Sequence, residues 1–224
     1  MIKYEEAYRI AREFWENPIV LKCWRNPIKL IEEMNWNLIP YTNQTPLGEA
    51  YSTYKNGEFF ILCNTSTHFN RITYNLHHEV GHVVGGHPVR YKNIIYQSCI
   101  NWEKKKLEIE ATIIGRNIFL PAPILVYLKM MYGEIKTKKY LQYAYYLSSE
   151  YVDARMANLA EDFKNMGLKI SFFQDDLHFE FQNMSEFLEK GFCYCFGGGY
   201  DFLISYEESS TNMKNEFNFF LDFL

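Results

Sequence analysis

Neither an export signal nor a membrane span is expected of this 224-residue chain. It opens Met1-Ile2-Lys3-Tyr4-Glu5-Glu6, directly into an amphipathic pattern, without the basic stretch and apolar run of a secretory leader. Its longest apolar stretches, such as Ile118 to Met131, are interrupted by Pro121, Pro123 and Lys129. They fall short of the roughly 20 residues that a membrane span requires. Cysteine is sparse: Cys23, Cys63, Cys99, Cys193 and Cys195 are odd in number and scattered, which suits a reducing compartment. Cys193 and Cys195 lack the two-residue gap and the second pair of a structural zinc ribbon. No arginine occurs beyond residue 165 and the net charge is only −4, so direct nucleic-acid binding is not expected. The expectation is a cytoplasmic globular chain, 48% apolar and 18% aromatic, able to form one good-sized core with or without a small appendix.

Against that plain background one pattern carries chemistry: His78-Glu79-Val80-Gly81-His82. On a helix, positions i and i+4 lie one above the other, so both imidazoles can reach one metal ion. Glu79 sits about 100° round the helix from His78, close to a metal without being forced to bind it, where a general base takes a proton from water. Arg71 to His77 contains neither proline nor glycine and runs into the motif at helical spacing, with Tyr74, Leu76, Val80, Val83 and Val84 supplying an apolar face. Gly85-Gly86 followed by Pro88 is a stop signal. A helix from Arg71 to Val84 is therefore predicted, with the motif in its last two turns.

Catalytic zinc takes three protein ligands and leaves one position open. The third should be a His, Asp or Glu on another rigid element, and the segment Glu108-Ile109-Glu110-Ala111-Thr112 offers it. Ile109, Ile113, Ile114 and Ile118 form a helical stripe that ends at Pro121. Glu108 and Glu110 are about 200° apart on such a helix, so only one of them can face the histidines. After Lys104-Lys105-Lys106, either could instead belong to a solvated charged face. His68 and His178 have no partner pattern and read as structural; His87, just past the glycine stop, reads as an exposed loop residue.

These residues resemble the ImmA/IrrE family of small bacterial and phage metallopeptidases. Its signature is a basic and an aromatic residue leading into H-E-x-G-H, then E-x-E-A-(N/D) in a helix that ends in a Leu-Met-Pro-like tripeptide. Here it reads Arg71 and Tyr74, His78 to His82, Glu108 to Thr112, and Phe119-Leu120-Pro121. Lys55-Asn56-Gly57-Glu58 with Phe59 to Asn64 is similar to the family's hairpin, and Ser148 to Arg155 to a later helix, so the likeness covers roughly residues 25 to 160. The chain departs from the pattern at His77, where the family has a small apolar residue, and at Thr112, where it has Asn or Asp. The resemblance implies one catalytic Zn2+ held by His78, His82 and Glu108, with Glu110 the fallback ligand and Glu79 the base. Thr112, Glu110 and His77 would stand around that shell. It also implies a zinc endopeptidase whose substrate is a helix-turn-helix, DNA-binding repressor, an anti-repressor of a mobile element or stress response. The reading of another class is a non-catalytic, antitoxin-like regulator that keeps the fold and works by binding.

The expected fold class is α+β, a mostly helical zincin-like body with a small antiparallel sheet. Helices are expected at residues 3–15, Pro27–Met34, 71–84, around Glu108, and at 123–131, 137–147 and 149–165. Strands are expected at Trp36–Pro40, Ala50–Tyr54 and Glu58–Cys63, the last two joined by an Asn56-Gly57 turn. A metallopeptidase domain over residues 1–165 would be followed by an acidic, aromatic-rich subdomain over 166–224. That last segment holds ten Asp or Glu against three Lys, hence about −7 and leaving about +3 for the rest, and it holds twelve of the eighteen phenylalanines. Phe172-Phe173, His178 to Phe181, Phe192 to Phe196 and Phe202 to Tyr206 suggest strands around Gly197-Gly198-Gly199. It either completes a core or recruits a basic protein substrate.

Overall fold

The computed structural model describes residues 4–23, 26–42, 49–90, 101–145, 147–165, 170–173 and 176–179. The chain divides into two compact units, residues 1–120 and 121–224, and the candidate site lies in the first.

In the first unit, α1 (Glu5–Phe14) carries Glu5 and Glu6 in its first turn, where acidic groups complement the helix dipole. Its apolar side, Ala7, Tyr8 and Ala11, is buried, and the Trp15 indole just beyond donates to the Asn117 carbonyl at 2.9 Å. A short α2 (Pro18–Cys23), absent from the sequence expectation, precedes α3 (Pro27–Glu33). The Asn26 side chain caps α3 by accepting from the Ile28 and Lys29 amides, and Pro27 occupies the first turn, where a missing N–H costs nothing.

Three strands follow: β1 (Asn37–Tyr41), β2 (Ala50–Lys55) and β3 (Glu58–Asn64). Asn56 and Gly57 both have positive φ, 54° and 91°, the backbone of a tight hairpin turn. That turn makes β2 antiparallel to β3. The sheet as a whole is mixed, not antiparallel: its order is β1-β3-β2, and β1 runs parallel to β3 with Asn37 opposite Phe60. Alternation in sequence fixes which side chains share a face. It does not fix the direction in which a strand takes up a free edge, and β1 takes the edge that the hairpin leaves open.

Helix α4 (Phe69–Val84) packs on β2 and β3 and, along its other side, on α6 (Asn101–Phe119). Ile72, Leu76, Val80 and Val83 of α4 are buried, as are Ile61 and Cys63 of β3 and Ala111, Ile113, Ile114, Ile118 and Phe119 of α6. Each such aliphatic or aromatic side chain contributes about 1.5–3 kcal/mol on leaving water. The α4–α6 crossing is unusually close. A Cβ on Gly81 would sit 2.0 Å from the Ala111 carbonyl oxygen, and one on Gly115 would sit 2.1 Å from that of His77. Backbone meets backbone there, which only glycine permits. The stop signal behaves as the sequence suggests: Gly85 caps α4 and Gly86 has φ 68°. The chain then turns into a one-turn helix, α5 (His87–Arg90).

In the second unit, α7 (Ala122–Ala144) contains a break at Gly133, with φ 79° and ψ 162°, between the two helices expected there. Ser148 caps α8 (Ser149–Ala157) by accepting from the Tyr151 amide, and α9 (Leu159–Asn165) follows directly. The expected single helix over 149–165 is thus divided at Asn158. Arg155 and Asp162, both fully buried, pair across the two pieces at 2.7 Å. Strands β4 (Ile170–Phe173) and β5 (Asp176–Phe179) form an antiparallel pair. The strands expected at Phe192 to Phe196 and Phe202 to Tyr206 lie outside the described residues. No described helix is long and apolar enough to cross a membrane.

Candidate metal centre

Two helices build the centre. α4 presents His78 and His82 one turn apart, and α6 brings Glu108 against them. His78 Nε2 lies 2.9 Å from Glu108 Oε2, His82 Nε2 lies 3.6 Å from the same oxygen, and the two Nε2 atoms are 3.1 Å apart. Three donors bonded tetrahedrally to one zinc at about 2.0–2.1 Å would be about 3.3 Å from one another. The observed edges straddle that value, so the residues fit a divalent ion of zinc's size. Among the described residues this is the group whose atoms could hold a metal.

Each imidazole has a polar neighbour at its other nitrogen. The Thr112 hydroxyl donates to the Glu108 carbonyl at 2.8 Å, so its lone pair is left to accept from His78 Nδ1 at 3.2 Å. That assigns the proton of a neutral His78 to Nδ1 and leaves Nε2 free to bind metal. His82 Nδ1 faces His87 Nδ1 at 2.9 Å. Tyr74 stacks beside His78, with ring centroids 6.3 Å apart, and carries the Arg71 guanidinium 5.5 Å above its ring. Arg71 in turn pairs with Glu49, which also accepts from Asn75 at 3.2 Å.

The electrostatics follow from this packing. Hydrogen bonds from His78 and then His82 hold the Glu108 carboxyl far below the usual carboxylate range, against a smaller opposing effect of burial. Burial alone would lower His78, but the Glu108 bond and the nearby Glu79 charge outweigh it and leave His78 raised. Glu79 is buried; burial, then the Glu79 and Glu49 charges, push the Cys63 thiol up to about 12.

The remaining sequence candidates fall as follows. Glu110 turns away from the histidines of α4, its oxygens 3.5 Å from His87 Nε2 and 3.6 Å from Lys106 Nζ. Thr112 stands behind His78, as above. His77 is neither at the surface nor in the metal group: it is 1% exposed and stacks on Phe119 at 4.2 Å with rings 7° from parallel. Burial pushes its pKa down to about 3, so it is a neutral core ring. His87 is the clearest miss. Expected as an exposed loop residue, it is 4% exposed, because Gly85 and Gly86 let the chain fold back and return its ring beneath His82. The available signal was its position five residues after His82, beyond two residues without side chains. Burial, followed by the neighbouring His82 and Arg90 charges, lowers its pKa to about 3. Glu49 was also missed; no local motif marks it. A cavity of about 250 Å³ lined by Glu6, Arg90, Trp102, Lys106, Glu110 and His87 among others adjoins this outer layer but not the paired histidines.

Compared with known proteins, the chain matches no family model, no curated protein and no solved structure.

Proposed function

We propose that this chain is a zinc-dependent endopeptidase. The observation that carries the reading is the convergence of His78 Nε2, His82 Nε2 and Glu108 Oε2 within 3.6 Å of one another, with the buried Glu79 next to His78 in sequence. Two nitrogen donors and one carboxylate form the ligand set that zinc hydrolases use, with a fourth position left for solvent. A zinc ion held there by His78, His82 and Glu108 would supply Lewis acidity toward a carbonyl oxygen and would acidify water. The work left to the chain is positional and protonic. Thr112 orients the His78 imidazole, Glu108 supplies one negative charge, and Glu79 accepts the proton of the attacking water at its carboxylate and returns it to the departing amine.

The substrate class rests on the likeness of His78–His82 and Glu108–Thr112 to the ImmA/IrrE signature, and is a helix-turn-helix repressor. The test is incubation of the zinc-loaded protein with such a repressor, followed by mass spectrometry of the products. We expect one or a few defined cuts, abolished in Glu79→Gln although that variant still binds zinc. Equal cleavage by Glu79→Gln overturns the role given to Glu79. A repressor bound tightly but left intact by zinc-loaded parent overturns the peptidase reading in favour of a binding protein.

A further inference from the structure

The inference concerns what lies behind His82, and it rests on the metal-centre reading. When an imidazole binds a metal through Nε2 it is neutral and carries its proton on Nδ1, and that proton needs an acceptor if the ring is to keep one orientation. His78 finds its acceptor on α6, in Thr112. His82 has a different arrangement: its side chain is 8% exposed and its Nδ1 faces His87 Nδ1 at 2.9 Å.

His87 cannot serve as a further ligand to the same ion, because it lies on the side of the His82 ring opposite Nε2. It can accept from His82 only through an unprotonated Nδ1, which puts its own proton on Nε2. That atom looks toward Glu110 Oε2 at 3.5 Å. The polarity is consistent from end to end: carboxylate, imidazole, imidazole, metal position. Space for it is provided by Gly85, where a Cβ would lie 2.8 Å from His87 Nε2. Gly85 has φ −67°, a conformation open to any residue, so backbone strain does not require glycine there. The ring of His87 does.

We propose that His87 is a positioning residue for the metal centre: its Nδ1 accepts the Nδ1 proton of His82 and thereby fixes the tautomer and ring plane in which His82 binds the ion, with Glu110 Oε2 facing its Nε2. Glu110 then stands at the outer end of this line rather than at the metal position.

The experiment measures zinc affinity by competition with a chromogenic chelator for the full chain, His87→Phe, His87→Asn and Gly85→Ala. Absorption of the cobalt-substituted proteins reports ligand geometry, and melting of the metal-free proteins reports folding. Loss of an orienting contact typically weakens metal binding by about ten- to a hundredfold. We expect that loss in His87→Phe, with altered cobalt bands. His87→Asn should recover most of it, since Oδ1 can take the place of Nδ1 as acceptor. Gly85→Ala, which displaces the ring without removing it, should fall between. A merely structural His87 would change the melting temperature and leave affinity and bands as in the parent. His87→Phe with parental affinity and parental bands overturns the proposal, as does His87→Asn binding no better than His87→Phe. If His87→Phe does not fold, parental affinity in Gly85→Ala overturns it. Failure of the metal-centre reading would look different, because the parent itself would then bind no zinc.

Discussion

Replacing Gly81 by alanine should cost this protein both stability and metal, although the usual expectation for that change in a helix is the reverse. Alanine is better than glycine in a helix interior by about 1 kcal/mol, so without tertiary context Gly81→Ala would stabilise α4. The α4–α6 contact decides the sign. The new Cβ would lie 2.0 Å from the Ala111 oxygen, 2.8 Å from its carbonyl carbon and 3.0 Å from the Gly115 nitrogen, where ordinary contact begins at 3.4 Å. The shortfall at the oxygen is 3.4 − 2.0 = 1.4 Å, and backbone on a packed helix can absorb it only if α6 moves away. Overpacking of this kind costs about 1–3 kcal/mol, which exceeds the propensity gain. Glu108 is one turn before Ala111 on the same helix and travels with it. Metal sites tolerate bond-length departures of about 0.2 Å, several times less than the displacement required, so zinc affinity should fall by at least about ten- to a hundredfold. Melting with and without zinc, together with chelator competition, reads both effects. Gly57→Ala is the control: no atom lies within 4 Å of its added Cβ, so it should strain the hairpin turn and leave zinc affinity alone. A Gly81→Ala protein with parental melting and affinity would refute the argument that backbone contact sets the distance between Glu108 and the histidines.

Exchanging the two acids of α6 separately distinguishes ligand from outer neighbour. Glu108→Gln should abolish stoichiometric zinc binding in equilibrium dialysis, and Glu110→Gln should only weaken it; the opposite ranking would reverse their roles. His77 makes the metal-free protein acid-sensitive, since its pKa of about 3 in the fold lies below the ordinary 6.5. The unfolded chain therefore takes up more protons than the fold, and stability falls as pH drops from 6.5 toward 3, by about 1.4 kcal/mol per pH unit for this one group. His77→Phe should remove that slope from denaturant midpoints measured between pH 7 and 4.5, and identical slopes in parent and variant would contradict it. Zinc affinity should fall as pH is lowered through the raised pKa of His78, since the ion and the proton compete for that imidazole. An affinity independent of pH between 8 and 6 would exclude His78 as a ligand.

The parts of the fold that the sequence made legible are those governed by local rules. The i, i+4 spacing put His78 and His82 on one helical face, Gly85-Gly86 ended that helix, and Asn56-Gly57 closed the hairpin, each because one backbone conformation satisfies the residues present. Distance in sequence marks what was not legible. Helical spacing alone does not separate Glu108 from Glu110, and only the family resemblance ranks Glu108 first; the rotation of α6 that brings Glu108 to the histidines depends on Gly81, Ala111 and Gly115 meeting across two helices. The parallel β1 depends on which edge of β3 was free. His87 was misjudged for a subtler reason: two glycines announce the end of a helix, but not that the next residue returns to the ring it has just passed. His77 was misjudged because a histidine beside a metal motif invites a chemical role, whereas Phe119, forty-two residues later, provides a partner for the flat ring of a neutral imidazole.

The charges around the paired histidines favour a cation there independently of the distances. Glu79 is buried and Glu108 is partly so, and both carboxylates act on His78. Two negative groups beside a buried imidazole are costly unless something positive stands between them. In the metal-free protein a proton on His78 partly meets that need: against the effect of burial, the Glu108 hydrogen bond and the Glu79 and Glu108 charges leave its pKa raised. A proton is a poor solution, because it occupies the Nε2 lone pair that faces Glu108 and serves one imidazole only. A divalent ion would satisfy both nitrogens and the Glu108 carboxylate at once. The neutral side of the site is built to match, because Thr112 and His87 each hold an Nδ1 proton in place and thereby keep both Nε2 lone pairs aimed at one point. The orienting contacts and the excess of negative charge thus make the same demand, and a single divalent cation meets both.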